Sequence, residues 1–113
     1  MLASDVIDKS RLILQDTSSS AYRWNDTTMF YWINSGVREI RKRRTDAQLD
    51  SDAEMIDYES VTASSDELVI ADDFEDTLIN YLCYRCLSQD ADNKNNLERS
   101  KFHYTMYEKG LTI

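Results

Sequence analysis

The amino-acid sequence predicts a mainly α protein, a four-helix bundle with a small β-hairpin or extended loop between the second and third helices. Three observations carry this expectation. Apolar residues recur at helical spacing in four stretches. Pro is absent and Gly occurs only at Gly36 and Gly110, which favours helices with short polar connections over a turn-rich β fold. Between Thr45 and Ala71 the helical pattern stops and the chain turns polar and acidic. At 113 residues the whole chain, 1–113, is expected to be one domain, with helices at about 3–15, 27–44, 73–90 and 93–109.

The first helix places Val6, Ile7, Ser10, Ile13 and Leu14 on one face, with Ser4 or Asp5 at its positive end. The run Asp16-Thr17-Ser18-Ser19-Ser20 stops it, because these side chains bond their own backbone. Asp26 is the expected N-cap of the second helix, whose core stripe is Met29, Ile33, Gly36, Val37 and Ile40. Gly36 inside a helix costs about 1 kcal/mol against Ala, which points to another helix packed closely there. Trp24, just before the cap, is expected to fold back on the first helix or the first turn of the second.

In the segment 45–71 two pieces are β-prone, Met55–Thr62 and Leu68–Ile70, with Ala63-Ser64-Ser65-Asp66 as the turn of a hairpin. Asp46–Glu54 is long for a compact domain and is expected to be mobile or ordered by a partner. The closing pair of helices begins at Asp72 or Asp73, turns at Asp90–Asn93 with Asn93 as the next cap, and stops at Gly110. On the third helix Phe74, Leu78, Ile79, Leu82, Cys83, Cys86 and Leu87 form a stripe wider than that of an ordinary surface helix. Such a stripe needs cover from more than one side, by this chain or by another subunit. Leu97 and Tyr104 fall on one face of the fourth helix, Phe102, Met106 and Tyr107 on another.

Hydrophobic content is 42% and the net charge is −8, with acid concentrated between Asp46 and Asp76. That balance disfavours a dedicated DNA-binding domain. No apolar run approaches membrane-spanning length, and the start, MLASDVIDKS, lacks a basic, apolar leader. The expectation is a soluble protein kept in a cytoplasm, with Cys83 and Cys86 as reduced thiols and no membrane partner.

Chemistry-bearing motifs are few. Cys83-Tyr84-Arg85-Cys86 has C-x-x-C spacing, but it sits mid-helix on the apolar stripe and has no second ligand pair, which favours packing over zinc or redox work. His103 is the only histidine and has no nucleophile in view, so a packing or interface role is preferred. Arg38, Arg41, Lys42, Arg43 and Arg44 suit the negative end of the second helix, and as a contact they fit an acidic patch on a neighbouring subunit better than DNA. Asp46, Asp50, Asp52, Glu54, Asp57 and Glu59 lack the ordered calcium-loop spacing. No catalytic residue, cofactor site or metal site is expected, and the chain is read as a non-enzyme.

Tyr22, Trp24, Phe30, Tyr31 and Trp32 are more aromatics than a small core holds, which points to an interface. With these pieces placed, a longer pattern emerges. It comprises Leu14-Gln15-Asp16, Arg23-Trp24-Asn25-Asp26, Tyr31-Trp32-Ile33-Asn34 with Arg38-Glu39-Ile40, and Asp66-Glu67-Leu68 leading to Asp72-Asp73-Phe74. Tyr81–Arg85, Ser88-x-Asp90-Ala91, Glu98-Arg99 and His103-Tyr104 complete it. In this order the chain resembles the head–tail connector proteins (adaptor or head-completion proteins) of tailed bacteriophages. It departs in having Ile70-Ala71 where similar proteins often carry Pro, and in a short middle segment.

The resemblance implies an adaptor-type bundle that assembles as a homo-oligomeric ring beneath the portal protein, commonly twelve-fold. Such a ring joins the portal to tail or nozzle proteins and lets double-stranded DNA pass without sequence-specific binding. It implies a place in the virion neck after assembly in the host cytoplasm, with the tail Tyr107–Ile113 able to reach the portal. The interface candidates are Tyr22, Trp24, Arg41, Arg44, Tyr58, Tyr107 and the Asp46–Glu59 loop. Two rival readings stand beside it: a small acidic regulatory or inhibitory module imitating nucleic acid, and a thiol or zinc enzyme built on Cys83 and Cys86.

Overall fold

The computed structural model describes residues 1–90 and 93–112. Four helices run in order: α1 Ala3–Leu14, α2 Asp26–Arg43, α3 Glu75–Ser88 and α4 Lys94–Gly110. The joint expected at Asp90–Asn93 and the end of the Tyr107–Ile113 tail lie partly outside the described residues. α3 is the central helix, packing against α1, α2 and α4, and its contact with α4 is the most extensive. Its wide stripe explains this position: Leu78, Ile79, Tyr81, Leu82, Cys83, Cys86 and Leu87 are all buried. The cover that stripe needs is supplied within the chain.

Gly36 marks the tightest approach. A Cβ there would lie 2.6 Å from Tyr81 Cδ1 and 2.7 Å from Leu78 Cδ1, so α2 and α3 meet only because the side chain is missing. Tyr81 is held in place by its hydroxyl, 2.8 Å from Ser35 Oγ.

Helix ends follow local rules with two changes from expectation. Asn25, not Asp26, caps α2, its Oδ1 accepting from the Thr28 N–H at 2.8 Å. At α1, Asp5 accepts from the Leu2 N–H, and the free Ala3 and Ser4 N–H groups donate to the carbonyls of Asp66 and Ser64. The 63–66 turn thus closes the start of α1. α1 ends at Gln15 in the left-handed conformation, φ 58°, and Asn93 caps α4 through the Asn95 N–H.

The β-hairpin does not form. Among the described residues there is no strand, only isolated bridges joining Leu2 to Glu67 and Leu49 to Met55. The physical reason is that side chains of α2 take the hydrogen bonds a hairpin would use. Asn34 bonds both the N–H and the carbonyl of Val61, and Arg41 donates to the carbonyls of Val69 (2.6 Å) and Ile56 (2.8 Å). The β-prone pieces lie extended along the helix instead of pairing with each other.

Asp46–Glu54, expected to wait for a partner, is ordered by its own bonds. It opens with a 3₁₀ turn, Thr45–Gln48, that buries Ala47. Asp50 Oδ1 then accepts from the N–H groups of Asp52 and Glu54. A second 3₁₀ turn, Asp72–Phe74, leads into α3. Among the described residues no helix is long and apolar enough to cross a membrane.

Candidate assembly interface

Two clusters gather the six interface candidates. The first is the corner between α1 and α2. Leu14-Gln15-Asp16 and Arg23-Trp24-Asn25-Asp26, separate in sequence, meet here. Asp16 is buried and accepts from Arg11 Nη1 at 2.7 Å and from the backbone N–H groups of Arg23 and Trp24. Arg11 also reaches Asp26 at 2.9 Å and lies over the Tyr22 ring, 3.6 Å from its centre.

Each of Asp16's bonds stabilises the charged carboxylate, and Arg11 balances it, so the pair tolerates burial. Sequence reading gave Asp16 the helix stop and a place in the longer pattern, and passed over Arg11. The available signal was position: Arg11 is four residues after Ile7 and three before Leu14, on the apolar face.

Trp24 belongs to this corner and is only 6% exposed. It packs within the chain, as the fold-back expectation had it, and has little surface left for a partner. Tyr22 keeps a free edge beneath Arg11.

The second cluster is the C-terminal end of α2. Arg41 pins the connecting segment as described. Arg43 makes a bidentate pair with Glu108 on α4, both bonds 2.8 Å, and holds that carboxyl below its usual range by hydrogen bonding. Arg44 bonds both oxygens of Asp46 and the Leu111 carbonyl, with its guanidinium over Phe74. Tyr58 is exposed, and its hydroxyl accepts from Arg38 at 3.1 Å. Tyr107 is buried, 3% exposed, against Tyr81, and burial pushes its phenol up to about 12. Of the six interface candidates, Tyr22 and Tyr58 face solvent, Arg41 and Arg44 tie elements of the chain together, and Trp24 and Tyr107 are core.

The side chains with chemical potential are quiet. Both cysteines are free and buried, and burial pushes each thiol up to about 12. A thiol so protonated is a poor nucleophile and metal ligand. His103 sits between α4 and α3, its Nδ1 2.9 Å from Asn80 Oδ1, and burial followed by the charge of Arg99 lowers its pKa. Among the described residues no three His, Cys, Asp or Glu side chains converge to hold a metal ion.

The surface that sequence spacing located but did not choose is on α4. This helix buries Asn96, Ser100, His103 and Tyr107 and leaves apolar side chains on both flanks. Leu97 and Tyr104 are exposed on one flank, Phe102 and Met106 on the other, with Phe102 at 59%. Phe102 and Arg99 join Ile13 of α1 around a broad, open depression. No protein family, curated protein or solved structure matches the chain.

Proposed function

We propose that this chain is a non-catalytic structural adaptor of a tailed-phage virion, assembled in the host cytoplasm and placed at the neck. Copies form an oligomeric ring that joins the portal to tail or nozzle proteins and continues the DNA conduit. One observation carries the assembly part: α4 exposes apolar side chains on both flanks, Leu97 and Tyr104 on one and Phe102 and Met106 on the other. Exposed apolar surface of this kind marks a protein contact. The ordered resemblance in sequence supplies the portal as partner and the ring as form.

Two further observations fit. Arg41, Arg43 and Arg44 are engaged within the chain, which leaves a largely acidic exterior suited to a conduit that does not grip DNA. The buried thiols and the Asn80-bonded His103 are placed for packing rather than reaction.

Native mass of the purified protein, alone and mixed with the neighbouring portal protein, tests the reading. A ring formed alone or on the portal is expected. A monomer that ignores the portal would sink it. The acidic segment favours one rival, a module that captures a basic partner, and that module would bind tightly at low salt and release as salt rises.

A further inference from the structure

Five arginines of the described chain are buried or half-buried: Arg11, Arg41, Arg44, Arg85 and Arg99. Four of them give terminal nitrogens to acceptors within the chain. Arg11 bonds Asp16 and Asp26, and Arg41 bonds the carbonyls of Val69 and Ile56. Arg44 bonds Asp46 and the Leu111 carbonyl, and Arg99 bonds the Ile13 carbonyl. Arg85 is the exception. Its Nε donates to the Tyr81 hydroxyl at 3.1 Å, but among the described residues Nη1 and Nη2 meet no acceptor. The donor fork of this guanidinium is left for an acceptor from outside.

The side chain is also held in place. Tyr81, which fixes Nε, is itself 2.8 Å from Ser35 Oγ. The guanidinium carbon lies 5.0 Å from the centre of the Trp32 ring on α2 and 5.1 Å from that of Tyr84 on α3, within cation–π range of both. Beyond these two rings the aromatic surface continues. Tyr31 meets Trp32 edge-on at 4.8 Å and is 62% exposed. On the other side Tyr104 of α4 lies 4.9 Å from Tyr84 and is 43% exposed. Three helices therefore build one aromatic surface, with the open fork of Arg85 between its halves.

We propose that this surface receives a protein partner that presents a carboxylate side chain flanked by apolar residues. The carboxylate accepts from Arg85 Nη1 and Nη2, and its apolar neighbours lie on Tyr31, Trp32, Tyr84 and Tyr104. Charge complementarity argues for this occupant, because a planar guanidinium fork matches a carboxylate. The frame argues for a protein, because Trp, Tyr and Arg are the residues that anchor protein contacts and shield them from water. With Arg85 already fixed by Tyr81 and the rings, little ordering cost remains on docking. A nucleic-acid backbone fits less well. It draws its affinity from several cations, whereas Arg85 stands in reach of Glu39 on a chain of net charge −8. The inference deepens the adaptor reading, on which it rests, by naming what one partner presents.

Two blocked peptides, Leu-Glu-Leu and Leu-Gln-Leu, titrated into isotope-labelled wild-type protein and followed by NMR, test the site. The glutamate peptide is expected to shift the Arg85 Nε–H and Trp32 indole signals with millimolar affinity. The glutamine peptide should bind about tenfold more weakly, the loss of one charge-assisted contact. Arg85→Lys, first checked for an unchanged thermal midpoint, keeps the charge but not the fork, and should weaken the glutamate peptide by a similar factor. Because the peptide pair is read on the wild-type chain, the test stands even if that variant does not fold. Equal binding of the two peptides, no shift at Arg85 and Trp32 from either, or undiminished binding by a folded Arg85→Lys overturns the site. A short DNA duplex that moves the same signals and binds more tightly than the glutamate peptide overturns the protein occupant. Native mass with the portal judges the ring separately, so a ring that forms while the peptides fail leaves the adaptor reading standing.

Discussion

In the bundle, α3 is enclosed by α1, α2 and α4 through buried side chains, whereas residues 45–74 bury a smaller set, Ala47, Val61, Leu68, Val69, Ile70 and Phe74, and are also tied down by hydrogen bonds from Asn34, Arg38, Arg41 and Arg44. The first arrangement is non-directional and spread over many contacts. The second joins fewer buried side chains to a few donors, most of which meet a specific carbonyl or carboxylate. One region therefore resists change collectively, and the other is expected to open when a single anchor is removed.

The largest expected effect is at the one place where the bundle itself depends on a directional anchor. Asp16→Asn removes the negative partner of Arg11 while keeping the size of the side chain. Both members are buried, at 4% and 6% side-chain exposure, so water screens them little. Removing one partner of such a pair costs about 3–5 kcal/mol. Arg11 retains Asp26, which is largely exposed, so the lower end, about 3 kcal/mol, is expected for Asp16→Asn. Urea unfolding measures this directly. A loss below about 1 kcal/mol would mean that Arg11 escapes to solvent, the behaviour of an exposed pair.

Arg41→Ala sharpens the contrast. It frees the carbonyls of Val69 and Ile56, and hydrogen bonds to a charged donor contribute roughly 1.5–3 kcal/mol each when buried. Arg41 is only half-buried, so about 2 kcal/mol in total is expected. The effect should be local. Amide exchange should accelerate across Ile56–Val69 while the amides of α3 keep their protection. Equal acceleration in both regions would show that segment and bundle unfold as one unit, and the distinction drawn here would fail.

The same contrast explains what could be read from the sequence. The helices were legible because a 3.6-residue period is written in the chain itself, and Gly36 announced its close neighbour by being the wrong residue for a helix interior. The connecting segment misled because Ile56-Asp57-Tyr58-Glu59 carries a genuine strand alternation. Nothing local records that Asn34 and Arg41, more than fourteen residues away, take the hydrogen bonds a partner strand would need.

The interface candidates divide for a related reason. Aromatic content says that Trp24 and Tyr107 need cover, not whether the same chain gives it, and here it does. Phe102 and Met106 were placed on a face by spacing, but only the packing of α4, chiefly on α3, shows those side chains to be exposed.

The smallest expected effect separates the two regions by pH. His103 reports the bundle: burial and Arg99 lower its pKa from the ordinary 6.5. The unfolded chain then binds more protons, so this contribution to stability is present above pH 6.5 and falls as pH drops below it. Asp66 reports the segment: the N–H groups of Thr62 and Ala63 lower its pKa from the ordinary 3.8. Its contribution is present above pH 3.8 and is lost only as pH falls through the lowered value.

An amide NMR titration from pH 7 downward should therefore show two separate events. Asn80 and the residues around His103 should shift first, and Thr62 and Ala63 should shift only in more acidic solution. His103→Gln should delete the first event and leave the second in place. If Thr62 and Ala63 moved together with Asn80, the bundle and the segment would be coupled through more than the anchors on α2. The bonds from the 63–66 turn to the start of α1 are then the route to cut next.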